Sequence, residues 1–561
     1  MTIDTAGASP LFPEGRVKRY RRAGLWTEET LGDALRSAAR KYAGQTALVT
    51  VNGRWSYAEL DDLTESFAAG ILAQTSLRPG DRVMFQLGNE AETVVAYYGC
   101  IKAGLIPVCT LPQHGEREIS HLARHTDARG HLVQADFRNR NLVGMAADLR
   151  RSVHVLDTLI VTRGPAPAGA LAYTSILEAG RREDARSRLA DISVDADGLA
   201  VLQLSGGTTG LPKVAPRLHE EYLYNSRVWA QALELTDESV LLHPLPLMHN
   251  AGTVAAMQPT HLAGGTFVIG PGAETGPLLE LIARERVTVV PVVPPAVAIR
   301  ILEDERARHT GLSSIRRFVL GGQRPSEDLI ERLDSELGIR ALQMFGMAEG
   351  MFLYTPPDAP ESARLATVGT RISPDDEIRV LEVGGEQEVP DGTLGELACR
   401  GPYTINGYYR APQHNAASFT SDGFYRTGDL VTRHVLDGRD YYAIDGRIKD
   451  VINRGAEKIH AEEVEDLLVR HPEVSNAALV AMPDPILGER ICAYLVLVDN
   501  AAQPTVESVG RFLLEQGLAK FKLPERVEVL EAFPLSNVGK VSKKDLRADI
   551  ERKIEEESVG P

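Results

Sequence analysis

The feature that most constrains this chain is an alternation. Short apolar runs of strand length recur: "DRVMFQLG", "GLIPVCTL", "DTLIVTR", "GTFVIG", "VTVVPVVPP" and "IRRFVLGG". Amphipathic stretches such as "EAETVVAYYGCIKAG" and "SEDLIERLDSELG" read as helices between them. Strand and helix in alternation predict α/β architecture with largely parallel sheets. Ahead of this region, residues 29–45 predict a helix, and "TALVTVNGRWSYAEL" predicts a hairpin turning at Asn52-Gly53.

At 561 residues the chain is too long for one ordinary core, so two or more domains are expected. The stretch 376–445 is strand-rich with many turns and reads as a β-rich subdomain. Beyond it, "AEEVEDLLVRHPEV" and "TVESVGRFLLEQ" read as helices, and "NAALVAMP" and "ERICAYLVLVD" as strands. The fold expected is a large N-terminal domain, residues 1–448, of parallel-type sheets with helices plus the β-rich subdomain. A small, mobile α+β C-terminal domain, residues 449–561, follows.

Composition excludes several function classes. The net charge of −16 repels nucleic acid. The N-terminal "MTIDTAGASPLFPEGRVKRYRR" has no signal-peptide core, and no apolar run reaches membrane-spanning length, so the cytoplasm is the expected location. Cys100, Cys109, Cys399 and Cys492 form no CxxC and lack histidines at ligand spacing, which reads as buried reduced thiols and no zinc site.

One loop stands out. "SGGTTGLPK" packs Gly206, Gly207 and Gly210 with Ser205, Thr208, Thr209 and Lys213 into nine positions. It is neither a Walker A nor a GxGxxG loop, because Lys213 follows Leu211-Pro212 with no Ser or Thr after it. Glycines let backbone N–H groups point into one concavity, hydroxyls add donors and Lys213 adds charge. The physical reading is a polyphosphate clamp; the alternative is an exposed turn.

The loop resembles the phosphate loop of the adenylate-forming superfamily, and further stretches follow in that family's order. These are "QMFGMAEG" (343–350), "YRTGDL" (425–430), "GRIKDVINRGAEKIHAEEVE" (446–465) and "LSNVGKVSKKDLR" (535–547). The resemblance covers about residues 15 to 550 and implies activation of a carboxylic acid by ATP and Mg2+, with pyrophosphate released and a thiol then acylated. It assigns Mg2+ to Glu349, the ribose hydroxyls to Asp429 and the ribose or phosphates to Arg447. Lys540 would bridge the attacking carboxylate and the α-phosphate. It makes Lys449 the hinge and Gly455 part of a pantetheine tunnel. Gly321, Gly322, Gln343, Met344 and Phe345 would hold the adenine, although Gln323 departs from the small residue usual there.

A narrower resemblance is to stand-alone aryl acid–AMP ligases of siderophore and antibiotic pathways, through "LQLSGGTTGLPKVAPRLHEEYLYNSR", "PLMHN" and "FGMAEG". It makes His249 a catalytic candidate and places Asn250 beside a 2-hydroxyl or 2-amino group of the acid. "PLPLMHNAGTVAAMQP" has no aspartate for an α-ammonium group. Ala251 replaces an aromatic, Ala255 replaces a small polar residue that bonds a 3-hydroxyl, and Phe352 adds bulk; Gly321 and Met344 complete the substrate set. The acid expected is salicylate-like, amino-substituted or larger, rather than 2,3-dihydroxybenzoate. No "GGxS" site follows Lys540, so the expected acceptor is the phosphopantetheine thiol of a separate carrier protein. The basic "KFKLPER" and "GKVSKKDLR" read equally as a carrier dock or as a solvated face. Two alternatives stand beside this: an aryl- or acyl-CoA ligase, and a non-catalytic homologue that binds a ligand or partner.

Overall fold

The structure is a computed structural model, and it describes residues 12–205, 212–454, 457–484, 487–499, 501–536 and 540–559. Its contacts divide the chain into two compact units. The first holds Met1–Ala359, Arg371–Glu377 and Cys399–Tyr425; the second holds Pro360–Thr370, Ile378–Ala398 and Arg426–Pro561.

The first unit contains two sheets. One runs in the order Leu171–Ala172, Thr158–Thr162, Ala128–Gln134, Arg82–Gln86, Ile106–Val108, Leu199–Ser205 and Lys213–Leu218. Every pair in it is parallel except the last. In the other, six neighbouring strands are parallel: Ala341–Met347, Arg317–Gly321, Val289–Val293, Val240–His243, Thr266–Ile269 and Thr46–Thr50. Gly350–Tyr354 and Gly53–Ser56 add antiparallel strands beside the ends of that run. Each of the six apolar runs named above supplies one strand. The predicted helices form as Leu31–Lys41, Ala91–Lys102 and Glu327–Leu337. Local chemistry sets their ends: Thr30 and Asp33 close a capping box, Ser326 caps Leu329 N–H, and Gly338 ends its helix at φ +66°.

The hairpin forms, with its turn one residue early. Thr50 pairs with Gly53, so Val51-Asn52 make the turn, where Asn52-Gly53 was expected. Gly53 is needed for space instead: a Cβ there would lie 2.9 Å from the Trp55 ring. All four cysteines are free and buried, as the sequence predicts.

The second unit carries most of the β-rich part and the whole C-terminal segment. The four-stranded sheet of Glu377–Leu381, Leu394–Arg400, Tyr425–Leu436 and Arg439–Arg447 is the strand-rich stretch expected from the sequence. Beyond it, Val474–Asp484 and Gly488–Leu497 pair antiparallel, and period-two alternation builds a core on each face. Ala477, Leu479, Ile491, Ala493 and Leu495 face one core with Val464, Leu468, Val509 and Leu513. Ala478, Val480, Cys492 and Tyr494 face another with Leu546 and Ile550. The contact division therefore falls at Tyr425/Arg426, ahead of the 448/449 hinge the resemblance implies, while residues 452–554 close cores of their own. Among the described residues, no helix is long and apolar enough to cross a membrane.

Candidate active site

In the first unit the two strands that flank the hydroxyl-rich stretch pair with each other. Ser205 pairs with Lys213 across two antiparallel strands. Gly206, Gly207, Thr208, Thr209 and Gly210 lie outside the described residues. The Lys213 ammonium sits 5.0 Å from the centroid of the Tyr408 ring. The Tyr408 hydroxyl donates to Glu349 Oε1 at 2.5 Å and lies 2.8 Å from the Tyr425 hydroxyl. Burial, and then the Glu349 charge, push the Tyr408 phenol strongly up, so it stays a donor. Tyr408 thus meets Lys213 with its ring and the buried Glu349 carboxylate with its hydroxyl.

Glu349 stands in the turn between Ala341–Met347 and Gly350–Tyr354. That turn needs glycine, because Gly350 has φ +136° and a Cβ there would meet Tyr403 O at 2.1 Å. A residue not singled out from the sequence pins it. Arg217, fully buried, donates to Ala348 O at 2.8 Å and to Tyr403 O at 3.1 Å. Its Nε and NH2 bond the two carboxylate oxygens of Glu221, each at 2.8 Å. Burial alone would push the guanidinium down; the Glu221 charge reverses this and keeps it a cation. Removing one partner strands the other as a buried charge. Arg217→Ala is therefore expected to lose about 3–5 kcal/mol of stability in urea unfolding, far more than a surface i,i+4 pair.

The residues nominated for the acid are brought together on this side. His249 caps a short turn, its Nδ1 accepting from Ala251 N–H at 3.3 Å. Asn250 is buried; its Nδ2 donates to Met347 O at 3.1 Å and its Oδ1 accepts from Tyr222 at 2.9 Å. Ala251 is half-buried. Ala255 is buried in a π-helical stretch, Thr253–Met257, and its carbonyl accepts from Trp229 Nε1 at 2.8 Å. The Trp229 ring meets Phe352 edge-on at 5.4 Å. Sequence reading missed Trp229, which packs behind Ala255. In the parallel pair, Gly321 lies opposite Met344, and a Cβ on it would come 2.7 Å from Met344 Cγ. Gln343 is buried, Phe345 half-buried, and Gly322 takes φ +86°.

The second unit gathers the remaining charged candidates. Asp429 and Arg447 are cross-strand partners, and Arg447 Nε donates to Asp429 Oδ1 at 2.7 Å. Burial raises the Asp429 carboxyl, against the pull of Arg447. Burial, then the charge of Arg447, also lowers Lys449. Lys540 is pushed down to about 8 by burial and then by Arg447, while Asp429 opposes the shift. Its backbone is pinched by Ser536, whose N–H reaches Lys540 O at 2.6 Å. Gly455 lies outside the described residues.

The sequence profile of the AMP-binding enzyme family matches residues 35–409, and that of the AMP-binding enzyme C-terminal domain matches residues 463–540. The chain belongs to the AMP-binding enzyme family. Among the similar members, Pyochelin synthase PchD of Pseudomonas aeruginosa is 41% identical over 98% of this chain and 97% of its own. The 2,3-dihydroxybenzoate-AMP ligase of Bacillus subtilis is 38% identical over 97% of this chain and 98% of its own. Among solved structures, apo MbtA of Mycobacterium smegmatis superposes with a TM-score of 0.73 at 36% identity. That match covers 97% of this AMP-binding enzyme and 99% of MbtA. The fold, the family and the ligase class read from the sequence therefore stand.

Proposed function

We propose that this AMP-binding enzyme works in the cytosol on an aryl carboxylic acid. It converts the acid to an acyl adenylate and passes the acyl group to the phosphopantetheine thiol of a separate carrier protein. In the first step a carboxylate oxygen attacks the α-phosphorus of ATP, and the bond to pyrophosphate breaks. In the second, a thiolate attacks the acyl carbon and AMP leaves. The observation that carries the reading is the uncharged hydrogen bonding of Asn250. Tyr222 and the Met347 carbonyl bond its amide, Gln203 and Thr253 bond Tyr222, and none of these partners is a carboxylate that could meet an ammonium group.

Each charged group then has a task. Lys540 neutralises charge where the carboxylate meets the α-phosphate, and Asp429 with Arg447 holds the ribose. Ser205, Lys213 and the glycine loop hold the leaving pyrophosphate. His249 acts beside the acid, and Lys449 is the hinge for the second step. Glu349 fits Mg2+: one carboxylate oxygen is held by Tyr408, and the other has no hydrogen-bond donor among the described residues. Mg2+ usually takes one or two carboxylates and fills its shell with water and phosphate oxygens, and it offsets phosphate charge when bound.

Two measurements test this. Incubation with ATP, Mg2+ and salicylate is expected to give salicyloyl-AMP by mass spectrometry. In competition, a holo carrier protein is expected to be acylated well ahead of free coenzyme A. Preferential thioester formation with coenzyme A would make the chain an aryl-CoA ligase instead.

The lysine sets a pH limb. The ammonium form is the useful one, and it disappears as pH rises through about 8. The kcat/KM for ATP is expected to fall about tenfold per pH unit above that point. Bound phosphates favour the ammonium, so the limb in kcat is expected at higher pH.

A further inference from the structure

One side chain, Asn89, ties together loops from both sheets of the first unit. It follows the strand Arg82–Gln86 of the seven-stranded sheet. The backbone beside it is fixed there: Gly88 N–H donates to Gln134 Oε1 at 2.8 Å, and the buried Thr93 hydroxyl donates to Gly88 O at 2.7 Å. The Asn89 amide reaches loops that leave the other sheet. Its Nδ2 donates to Leu245 O and to Gly270 O, each at 2.9 Å, and lies 3.5 Å from Pro244 O. Its Oδ1 accepts from Leu247 N–H at 2.9 Å. Carbonyls only accept and a backbone N–H only donates, so the amide has one orientation, and both of its N–H groups are used. Residues 244–247 follow the strand Val240–His243, and Gly270 follows Thr266–Ile269. All of these loops leave the carboxyl ends of parallel strands, where open α/β sheets bind ligands. The segment held in this way leads into the turn that carries His249 and Asn250. His249 N–H donates to Pro246 O at 3.1 Å. Gly252 closes on Leu247, since a Cβ on Gly252 would lie 2.3 Å from Leu247 O. Leu247 is thus held by Asn89 on one side and packed by Gly252 on the other.

We infer that Asn89 is a positioning residue for acid activation: from one sheet it fixes the place of the His249–Asn250 turn that leaves the other. This rests on the proposed function and adds to it a residue that acts through the backbone of Leu245 and Leu247. Water could replace any one of its hydrogen bonds, but water would not keep Leu245, Leu247 and Gly270 at a set separation. A loop that is not held beforehand must be ordered at each binding event, which weakens binding. A shift of about 1 Å in a positioning element can cost about a hundredfold in rate. None of the Asn89 side-chain bonds goes to the strands of Ser205 and Lys213, so the effect falls on the acid rather than on ATP.

The test is ATP–pyrophosphate exchange on wild type and Asn89→Ala, with salicylate and ATP varied in turn. In Asn89→Ala the KM for salicylate is expected to rise about tenfold or more, while the KM for ATP stays within about twofold. A merely structural role would lower kcat through the amount of folded enzyme and leave both KM values unchanged. That result, or an equal rise in both, overturns the inference while leaving aryl activation standing. Hydrogen exchange on wild type decides if Asn89→Ala does not fold. In the free enzyme the Leu247 amide is expected to exchange its hydrogen about a hundredfold or more slower than an open loop does. Exchange of that hydrogen at the open-loop rate would mean that Asn89 does not hold the turn. Wild type that turns over neither salicylate nor any other aryl acid overturns the underlying reading as well.

Discussion

Lys540→Ala is expected to lower ATP–pyrophosphate exchange about a hundred- to a thousandfold. That is the usual loss when one preorganised charge at a reacting centre is removed. Two anions meet in this step, and positive charge must offset their repulsion. The structure shows why this lysine suits the task. It stands among Asp429, Arg447 and Lys449 in the second unit, where burial and the Arg447 charge lower its proton affinity. A cation destabilised before substrate arrives gains most when phosphate replaces the missing counter-charge. The loss belongs to the first half-reaction only. Synthetic salicyloyl-AMP given to Lys540→Ala is expected to acylate a carrier protein at close to the wild-type rate. Equal damage to both half-reactions would mean that the residue supports the fold.

Glu349→Gln should be nearly as severe. The substitution keeps the shape and leaves Oε1 in place for the Tyr408 hydroxyl, so the turn held by Arg217 survives. It removes the negative charge that a hard cation requires. Exchange is expected to fall about a hundredfold. The Mg2+ concentration for half-maximal rate should rise as well. Tyr408→Phe is the control, since it deletes one hydrogen bond to the same carboxylate and should lose only about two- to tenfold. If Glu349→Gln left the Mg2+ requirement unchanged, its assigned role would be wrong.

Much of the fold is legible in the amino-acid order alone. Strand runs such as "IRRFVLGG" give nearly the whole element, because buried parallel strands are continuously apolar and easily read. The C-terminal strands are visible too, but not that odd and even positions serve different cores. Asp429 and Arg447 can be picked individually; their pairing depends on a strand register that a bulge shifts at Leu430/Val431. The turn at Val51-Asn52 misleads because glycine after asparagine signals a backbone need, whereas here the need is room for Trp55. Arg217 is hidden for another reason. Arginine four residues before glutamate looks like an ordinary exposed helix pair, and only the fold buries it against Ala348 and Tyr403. Ala255 reads as lost polarity. Trp229 stands behind it, a partner in space that sequence distance conceals.

The central claim is that the chain activates an aryl acid beside Asn250, whose own hydrogen-bond partners are uncharged. ATP–pyrophosphate exchange over one panel tests it most directly: salicylate, 2,3-dihydroxybenzoate, benzoate, quinaldate, a medium-chain fatty acid and phenylalanine. Salicylate or another ortho-substituted aryl acid is expected to lead, with 2,3-dihydroxybenzoate well below it because Ala255 offers its 3-hydroxyl no polar side chain. Exchange driven by the fatty acid or by phenylalanine, with the aryl acids silent, would contradict the account.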